Sequence, residues 1–149
     1  MQWNLADLFE LVADTAPGRV ALAHGASGVT RTWAELDRRA NALVRHFARR
    51  HPPGAKVAIY AYNRPEWMET FVAALKARLV PVNVNYRYRE QELLYLLDNS
   101  DASVVAYEAS FAGPVAKLRD ACPKVRDWIE IDDGEPGNAF ADPYAEIAN

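Results

Sequence analysis

The chain has 149 residues, of which 50% are apolar and 25% charged, and its formal net charge is −3 at pH 7. This is the balance of an ordinary globular domain, which excludes a disordered tail, a collagen-like chain and a dedicated nucleic-acid binder. The single cysteine, Cys122, excludes an internal disulfide, and no apolar run approaches the roughly 20 residues that span a bilayer. No basic segment leads into an apolar stretch at the N-terminus, so we expect a cytoplasmic protein without a secretory signal.

Charge is spread unevenly along the sequence. Six arginines lie between Arg31 and Arg50, whereas residues 127–149 hold seven carboxylates and neither lysine nor arginine. Such asymmetry can mark an interaction surface. The simpler interpretation, which we favour, is a pair of solvated faces.

The first 32 residues predict a helix followed by a hairpin. Asn4 is a suitable N-cap for a helix with apolar residues at helical spacing, and the segment 16–18 (APG) ends that helix. Two β-like runs, 20–24 and 29–32, flank a four-residue loop that contains two glycines and therefore predict a hairpin.

A capping box, Thr32-Trp33-Ala34-Glu35, opens a second helix. The motif His51-Pro52-Pro53-Gly54 ends it. At 3.6 residues per turn the apolar side chains share one face and the arginines the opposite face. The apolar set is Leu36, Ala40, Leu43, Val44 and Phe47, and the arginines are Arg38, Arg45 and Arg49.

From residue 56 onward, short apolar runs alternate with helical patterns. The strand-length runs are 56–61, 79–84, 102–107 and 128–131, and the helical patterns start near Asn63, at 89–98 and at 111–122. Asn63 stands three residues before Glu66, which is the spacing of an N-cap. This alternation predicts βαβ units, hence an α/β fold with a mostly parallel sheet in three layers and helices on both faces. We expect a loop at 132–142 and the first turns of a further helix at 143–148, which suggests a truncated piece of a longer protein.

The carboxyl ends of the predicted strands carry no catalytic motif. None of these ends (62–64, 85–87 and 108–110) is glycine-rich, and the sequence contains no GxGxxG, GxxxxGK[ST] or GxSxG. The three histidines, His24, His46 and His51, stand at no metal-ligand spacing, so we expect surface or half-buried histidines and no metal site. The residues alone therefore predict no catalytic group in this segment.

Several motifs, taken in order, resemble the core motifs of the adenylate-forming superfamily. Residues 32–36 (TWAEL) with 39–43 (RANAL) resemble the first motif, of form (T/S)-(Y/W)-x-E-L, and 74–83 (ALKARLVPVN) resemble the second. Between them, 56–60 (KVAIY) and 63–67 (NRPEW) resemble the strand and turn of that family. Residues 84–88 (VNYRY) and 97–102 (LDNSDA) are similar to acyl-CoA synthetases of the fatty-acid ligase type. Arg78 stands where the second motif usually has glycine. If that glycine serves a left-handed helix C-cap, arginine there costs about 1 kcal/mol or requires a local adjustment.

The resemblance implies that residues 1–149 form the N-terminal part of the large, AMP-binding domain of an AMP-forming acyl-CoA ligase. Such an enzyme activates a carboxylic acid, here a fatty acid, with ATP as an acyl-adenylate, and CoA then displaces AMP. Mg²⁺ would neutralise the phosphate oxygens in the first step. The family's phosphate loop and C-terminal domain lie downstream, so we expect this segment alone to be inactive and to hold none of these cofactors. Its main partner would be the remainder of the same polypeptide.

The resemblance also suggests a contact to CoA. In some acyl-CoA ligases the arginine of an Asn-x-Arg turn lies near the phosphates of CoA, and here that turn is Asn85-Tyr86-Arg87. Arg64, in the neighbouring turn, is a weaker candidate. The alternative for Arg87 is a surface arginine paired with Glu90 or with solvent. We expect Tyr86 and Trp67 to be packing residues rather than lining of an acyl tunnel.

Two other classes of function stay open. A stand-alone α/β binding or regulatory module would need an acidic cluster or a phosphate loop at the strand ends, and the sequence shows neither. A peripheral membrane module would use the arginine-rich helix 33–50 against anionic lipid. We expect the apolar face of that helix to be occupied by the core.

Overall fold

The structure, a computed structural model, describes residues 4–149. Its helices and strands alternate along most of the chain, as predicted. In chain order they are α1 Leu5–Thr15, β1 Val20–Ala23, β2 Thr30–Thr32, α2 Trp33–Arg50, β3 Lys56–Tyr60, α3 Pro65–Lys76, β4 Val80–Asn83, α4 Glu90–Asn99, β5 Ala102–Glu108, α5 Ala112–Leu118, β6 Asp127–Ile131, β7 Asp142–Pro143 and α6 Tyr144–Ile147. The 3-10 turns Ala109–Phe111 and Arg119–Ala121 flank α5, so the helix predicted at 111–122 is confirmed but broken at both ends.

Five strands form one sheet in the order β4-β3-β5-β6-β7, and every neighbouring pair is parallel. The four predicted strands are therefore confirmed, and the predicted hairpin is the antiparallel pair β1–β2. In β4, the edge strand, Pro81 lies opposite Val57 of β3. The two-residue strand β7, which pairs with β6 through Asp142 and Ile129, was not predicted, because a strand this short leaves no periodicity in the sequence.

The sheet is covered on both faces, as the predicted three-layer fold requires. Alternate residues of β3 divide between two cores: Val57 and Ile59 pack with residues of α2, α3 and α6, and Ala58 and Tyr60 pack with residues of α4 and α5. This follows from the two-residue period of a strand. Because both faces of the sheet are buried, the strand sequences are nearly continuous hydrophobic runs.

The helix α1 forms where predicted but leaves most of its large apolar residues in solvent. It contacts α2 and α3, its small side chains Ala6 and Ala13 are buried, and Phe9 packs against the core with its ring 6.1 Å from that of Trp33. Leu5, Leu8 and Leu11 are 47%, 51% and 59% exposed. None of the helices within residues 4–149 is long and apolar enough to cross a bilayer.

Capping side chains determine where α1 and α2 begin, and α3 begins one residue later than the sequence predicts. Asn4 caps α1 and Thr32 caps α2, each in a complete capping box. Asn63 was predicted to cap α3, but the N-cap is Arg64, and Pro65 is the first helical residue. The prediction was wrong because proline disfavours helical backbone in the residue before it, so the helix cannot begin ahead of Pro65.

The end of α3 confirms the left-handed position expected at Arg78, whose φ is 60°. The N–H of Leu79 donates to Ala74 O at 2.8 Å and that of Arg78 to Leu75 O at 3.1 Å. This pair of bonds is a Schellman motif, in which the left-handed residue is usually glycine.

Candidate functional site

An open groove of about 930 Å³ lies beyond the carboxyl ends of β3, β4 and β5. It is bounded by the loop that follows β4, by the first turn of α4 and by the turn that follows β5. Ligands of open parallel sheets bind outside the carboxyl ends of the strands. The groove is therefore the candidate functional site.

One wall of the groove is a ladder of aromatic rings. Phe111 stacks on Tyr60 with 4.3 Å between ring centroids, and Tyr62 lies 5.2 Å from Phe111 and 4.9 Å from Tyr86. The Tyr60 hydroxyl donates to Tyr88 O at 2.7 Å, and burial raises the pKa of this phenol. The rings thus brace one another, and Tyr86 lines the groove while half exposed.

Arg87 lines the same groove with an exposed guanidinium. Its backbone N–H donates to Asn85 Oδ1 at 2.9 Å, which closes an Asx turn, and its guanidinium lies 5.6 Å from the centre of the Tyr86 ring. The guanidinium makes no ion pair with Glu90, which accepts from Lys117 Nζ at 2.5 Å, and the exposed side chain leaves the alternative of an arginine paired with solvent open. Within residues 4–149 no carboxylate forms an ion pair with Arg87.

Arg64 lies outside the groove lining and is held on three sides. Its guanidinium contacts Glu66 at 2.7 Å, Glu108 at 3.4 Å and the carbonyl oxygen of Asp132 at 3.1 Å. Burial raises the pKa of Glu108, whose carboxylate also accepts from the Tyr62 N–H at 2.5 Å. Arg64, in the turn after β3, therefore contacts the last residue of β5 and the first residue after β6.

The carboxylates at this edge of the sheet do not fit Mg²⁺, which requires several oxygen ligands in octahedral geometry. Glu66 and Glu108 are occupied by Arg64, and Asp133 accepts from both the backbone N–H and the hydroxyl of Ser110. The turns that follow β3, β4 and β5 also contain no glycine, so they form no glycine-rich backbone cradle for nucleotide phosphates.

A second polar cluster, at the opposite edge of the sheet, was missed by the sequence analysis. His46, Arg50 and His51 at the end of α2 meet Asp127 at the start of β6 and Asp142 at the start of β7. The expectation of surface or half-buried histidines holds for His46 and is wrong for His51, which is buried. The available signal was a carboxylate, Asp127, at the head of a strand buried on both faces, since such a group needs a partner.

The sequence profile described as "AMP-binding enzyme" matches residues 9–145. The chain belongs to this family. A 3-oxocholest-4-en-26-oate--CoA ligase of Rhodococcus rhodochrous is 41% identical over 136 residues, which is 90% of this chain and 24% of that protein. A medium/long-chain-fatty-acid--CoA/3-oxocholest-4-en-26-oate--CoA ligase of Mycobacterium tuberculosis (strain ATCC 25618 / H37Rv) is 38% identical over 132 residues, 88% of this chain and 24% of that protein. The chain thus spans about a quarter of the length of these curated relatives.

Solved structures agree with this membership of the AMP-binding enzyme family. A Mycobacterium tuberculosis fatty acyl CoA synthetase superposes with a TM-score of 0.79 at 27% identity, over 85% of this chain and 26% of that one. Acetoacetyl-CoA synthetase from Streptomyces lividans gives a TM-score of 0.88 at 21% identity, over 99% of this chain and 26% of that one, and shows the fold alone. The family and the α/β fold implied by the sequence motifs are both confirmed.

Proposed function

We propose that the chain is a segment of an AMP-forming acyl-CoA ligase that activates a fatty acid as an acyl-adenylate and transfers it to CoA. The family membership and the CoA-ligase names of the relatives support this activity. ATP and Mg²⁺ would be bound mainly by the rest of the polypeptide, because the described carboxyl-edge turns fit neither phosphates nor a metal ion. The part of the activity that these residues can supply is recognition of CoA.

Arg87 carries this proposal, as a groove-lining arginine that no carboxylate of residues 4–149 neutralises and that stands in the Asn-x-Arg turn. A guanidinium binds phosphate through paired, charge-assisted hydrogen bonds. The Asx turn with Asn85 fixes the backbone of Arg87, so its side chain projects from a defined point. In the proposed complex Arg87 contacts a phosphate of CoA.

The surroundings of Arg87 favour an anion. Arg89 also lines the groove, and the first turn of α4 places the positive end of a helix dipole beside it. Two carboxylates lie nearby, but Lys117 pairs with Glu90 and the Arg89 N–H donates to Glu92 at 2.9 Å. The aromatic wall offers ring faces to the adenine or the pantetheine arm of CoA.

We propose that Arg64 mainly positions the loops beside the groove. It is a weaker candidate than Arg87 for direct contact with CoA. Its guanidinium is occupied by Glu66, Glu108 and Asp132, and through them it holds the loops beside the groove. Contact with CoA would require it to leave these partners.

The test is Arg87→Ala in the complete ligase. A charge-assisted hydrogen bond to phosphate contributes roughly 1.5–3 kcal/mol. The KM for CoA should therefore rise by about one to two orders of magnitude. Adenylate formation precedes CoA entry, so ATP–pyrophosphate exchange should stay unchanged.

Two further variants complete this test. Arg45→Ala, on the exposed face of α2 and away from the groove, should leave both half-reactions unchanged. Arg87→Lys should recover part of the CoA affinity, because it keeps the charge and loses the paired geometry. A fall in both half-reactions would make Arg87 structural, and no change in either would remove it from the CoA site.

We also propose a cytoplasmic location with peripheral membrane contact through three exposed arginines of α2, Arg38, Arg45 and Arg49. Their outward-facing charge supports binding to anionic headgroups. Co-sedimentation with anionic vesicles at low salt, lost at high salt, is the expected result. Equal sedimentation with neutral vesicles would contradict it.

A further inference from the structure

The cluster lies at the amino ends of β6 and β7, whereas the groove lies beyond the carboxyl ends of the strands. The two are therefore at opposite ends of the sheet. The last two turns of α2 supply His46 and Arg50, and His51 is its C-cap. Asp127 is the first residue of β6 and Asp142 the first residue of β7. The cluster thus joins one helix to the two strands at this side of the sheet.

Three of these side chains converge on one point. His46 Nε2 and one carboxylate oxygen each of Asp127 and Asp142 lie within 4.8 Å of one another. Arg50 Nη1 lies between them, at 2.8 Å from His46 Nε2, 3.1 Å from Asp127 Oδ1 and 2.7 Å from Asp142 Oδ2. A positively charged group therefore already occupies the centre of a nitrogen–oxygen–oxygen donor set.

Arg50 does not satisfy this donor set completely. His46 Nε2 lies 2.8 Å from Arg50 Nη1 and also 2.8 Å from Asp127 Oδ2. If Nε2 carries a hydrogen, it donates to the carboxylate but faces the N–H of Arg50, so two donors meet. If it carries none, it accepts from Arg50 but faces the carboxylate oxygen, so two acceptors meet. One of the two contacts is mismatched in either state.

We propose that His46, Asp127 and Asp142 bind a divalent cation of the Zn²⁺ class at the position that Arg50 Nη1 occupies here. A metal ion removes the mismatch when Asp127 binds it through both oxygens, because Oδ2, which lies 2.8 Å from His46 Nε2, then shares the ion with the imidazole lone pair. An imidazole with two carboxylates suits zinc, with bonds of about 2.0–2.2 Å. The two carboxylates balance the charge of the ion.

The adjustment that binding requires is small. The donors already lie 2.7–3.1 Å from the central point, so each moves inward by about 1 Å or less. The side chains of Arg50 and Asp142 are 49% and 48% exposed, so Arg50 can turn to solvent and Asp142 can adapt. His51 Nε2, 3.2 Å from Asp127 Oδ2, lies close enough to join the set or to orient Asp127.

The bound ion would act on the fold and not on the ligase reaction. It would connect α2 to β6 and to β7, which is only two residues long. Because the groove lies at the other edge of the sheet, the proposal stands or falls independently of the CoA site. Its readouts are metal content and thermal stability.

The test uses the tag-free chain, freed of metal with EDTA and dialysed against Zn²⁺. We expect saturable binding of one ion per chain by elemental analysis, and a rise in Tm with Zn²⁺ that EDTA reverses. Co²⁺ should give the visible absorption of a low-coordinate nitrogen–oxygen site. Absence of saturable binding would overturn the proposal.

Three variants locate the site. Asp142→Asn should weaken Zn²⁺ binding at least about tenfold, whereas Asp120→Asn, an exposed carboxylate outside the cluster, should leave it within about twofold. Arg50→Gln removes the competing cation and should tighten binding about tenfold. Equal binding by Asp142→Asn and Asp120→Asn would overturn the assignment of ligands. Unchanged binding by Arg50→Gln would overturn the claim that Arg50 occupies the position of the ion.

Discussion

At the scale of single residues, Arg78 occupies backbone that L-residues rarely adopt. Its φ of 60° completes the Schellman motif at the end of α3, and its carbonyl accepts from the Gly54 N–H at 2.8 Å. Left-handed backbone costs a residue with a Cβ roughly 1–2 kcal/mol. Its side chain contributes little in return, since it is half exposed and lies 3.6 Å from Asp7.

Arg78→Gly should therefore raise the free energy of unfolding by about 0.5–1 kcal/mol. The relief of strain exceeds the extra entropy that glycine brings to the unfolded chain. Arg78→Ala is the control, because it removes the same side chain and keeps the Cβ. Urea denaturation of the three proteins measures the difference, and equal stability of the two variants would show that the backbone carries no strain.

A second single-residue constraint is Gly137, where a Cβ would lie 1.6 Å from Glu130 Oε1. Glu130 cannot move freely, because its Oε2 accepts from the Tyr107 hydroxyl at 2.8 Å and from the Asn138 N–H at 2.8 Å. Gly137→Ala should lower the free energy of unfolding by about 1–3 kcal/mol.

Gly25→Ala is the matched control for this prediction, because nothing lies within 4 Å of a Cβ there and its backbone is not left-handed. Gly25 lies in the exposed hairpin loop, where alanine should raise the free energy of unfolding by up to about 1 kcal/mol. Thermal unfolding of both variants checks the pair. Equal changes of the same sign would show that the contact with Glu130 is unimportant.

At the scale of elements, Glu69 holds four of them together. Its side chain on α3 is fully buried, and its carboxylate contacts Arg39 of α2 at 2.8 Å and Arg31 of β2 at 3.2 Å. The Tyr144 hydroxyl at the start of α6 donates to the second oxygen at 2.7 Å. Helix packing, the hairpin and the last helix therefore depend on one carboxylate.

Glu69→Gln should cost about 3 kcal/mol of unfolding free energy, because it leaves two arginines facing a neutral group in a buried position. Tyr144→Phe removes one hydrogen bond to the buried carboxylate and keeps the charges, so it should cost less, about 1.5–2 kcal/mol. Chemical denaturation measures both. A loss no larger for Glu69→Gln than for Tyr144→Phe would show that the ion pairs add nothing.

The elements that the sequence predicted are those whose information is local. Short apolar runs that alternate with helical patterns identify β3 to β6, and the capping box identifies the start of α2. Neighbouring residues alone determine these features. The pairing of Glu69 with Arg39 joins residues 30 positions apart, and His46 meets Asp127 over 81 positions. Such contacts exist only after the helices have packed on the sheet, so no spacing within the sequence reveals them.

The candidate site likewise has features that the local sequence predicts and contacts that only the folded sheet shows. The position of Arg87 at the carboxyl edge follows from strand order and could be predicted, as could the absence of a glycine-rich loop there. The aromatic ladder brings together rings from the ends of β3 and β5 and the loop after β4, and only the folded sheet shows that they touch. The arginine-rich and acidic segments, interpreted above as solvated faces, in fact meet where Arg50 pairs with Asp127 and Asp142.

At the scale of the whole molecule, the proposed ligase activity requires the groove to act as one wall of a larger site. The described residues hold no phosphate cradle, and positioning of reactants with charge stabilisation supplies most of the rate in this chemistry. The chain alone, given ATP, Mg²⁺ and a panel of fatty acids, should release pyrophosphate only at the background rate. Saturable release that depends on the fatty acid would contradict the proposal that these residues need the rest of a ligase.

The edge strand β4 also affects how copies of this chain behave in solution. The N–H groups of Val80 and Val84 donate to Ala55 and Ile59 on the β3 side, so by alternation the outward N–H positions of β4 are those of residues 81 and 83. Residue 81 is proline, which has no N–H to offer, and its place opposite Val57 costs the sheet no hydrogen bond. A strand from another copy would find Asn83 as the single outward donor along β4. One proline thus makes the open edge a poor template for the strand-to-strand addition that leads to aggregation.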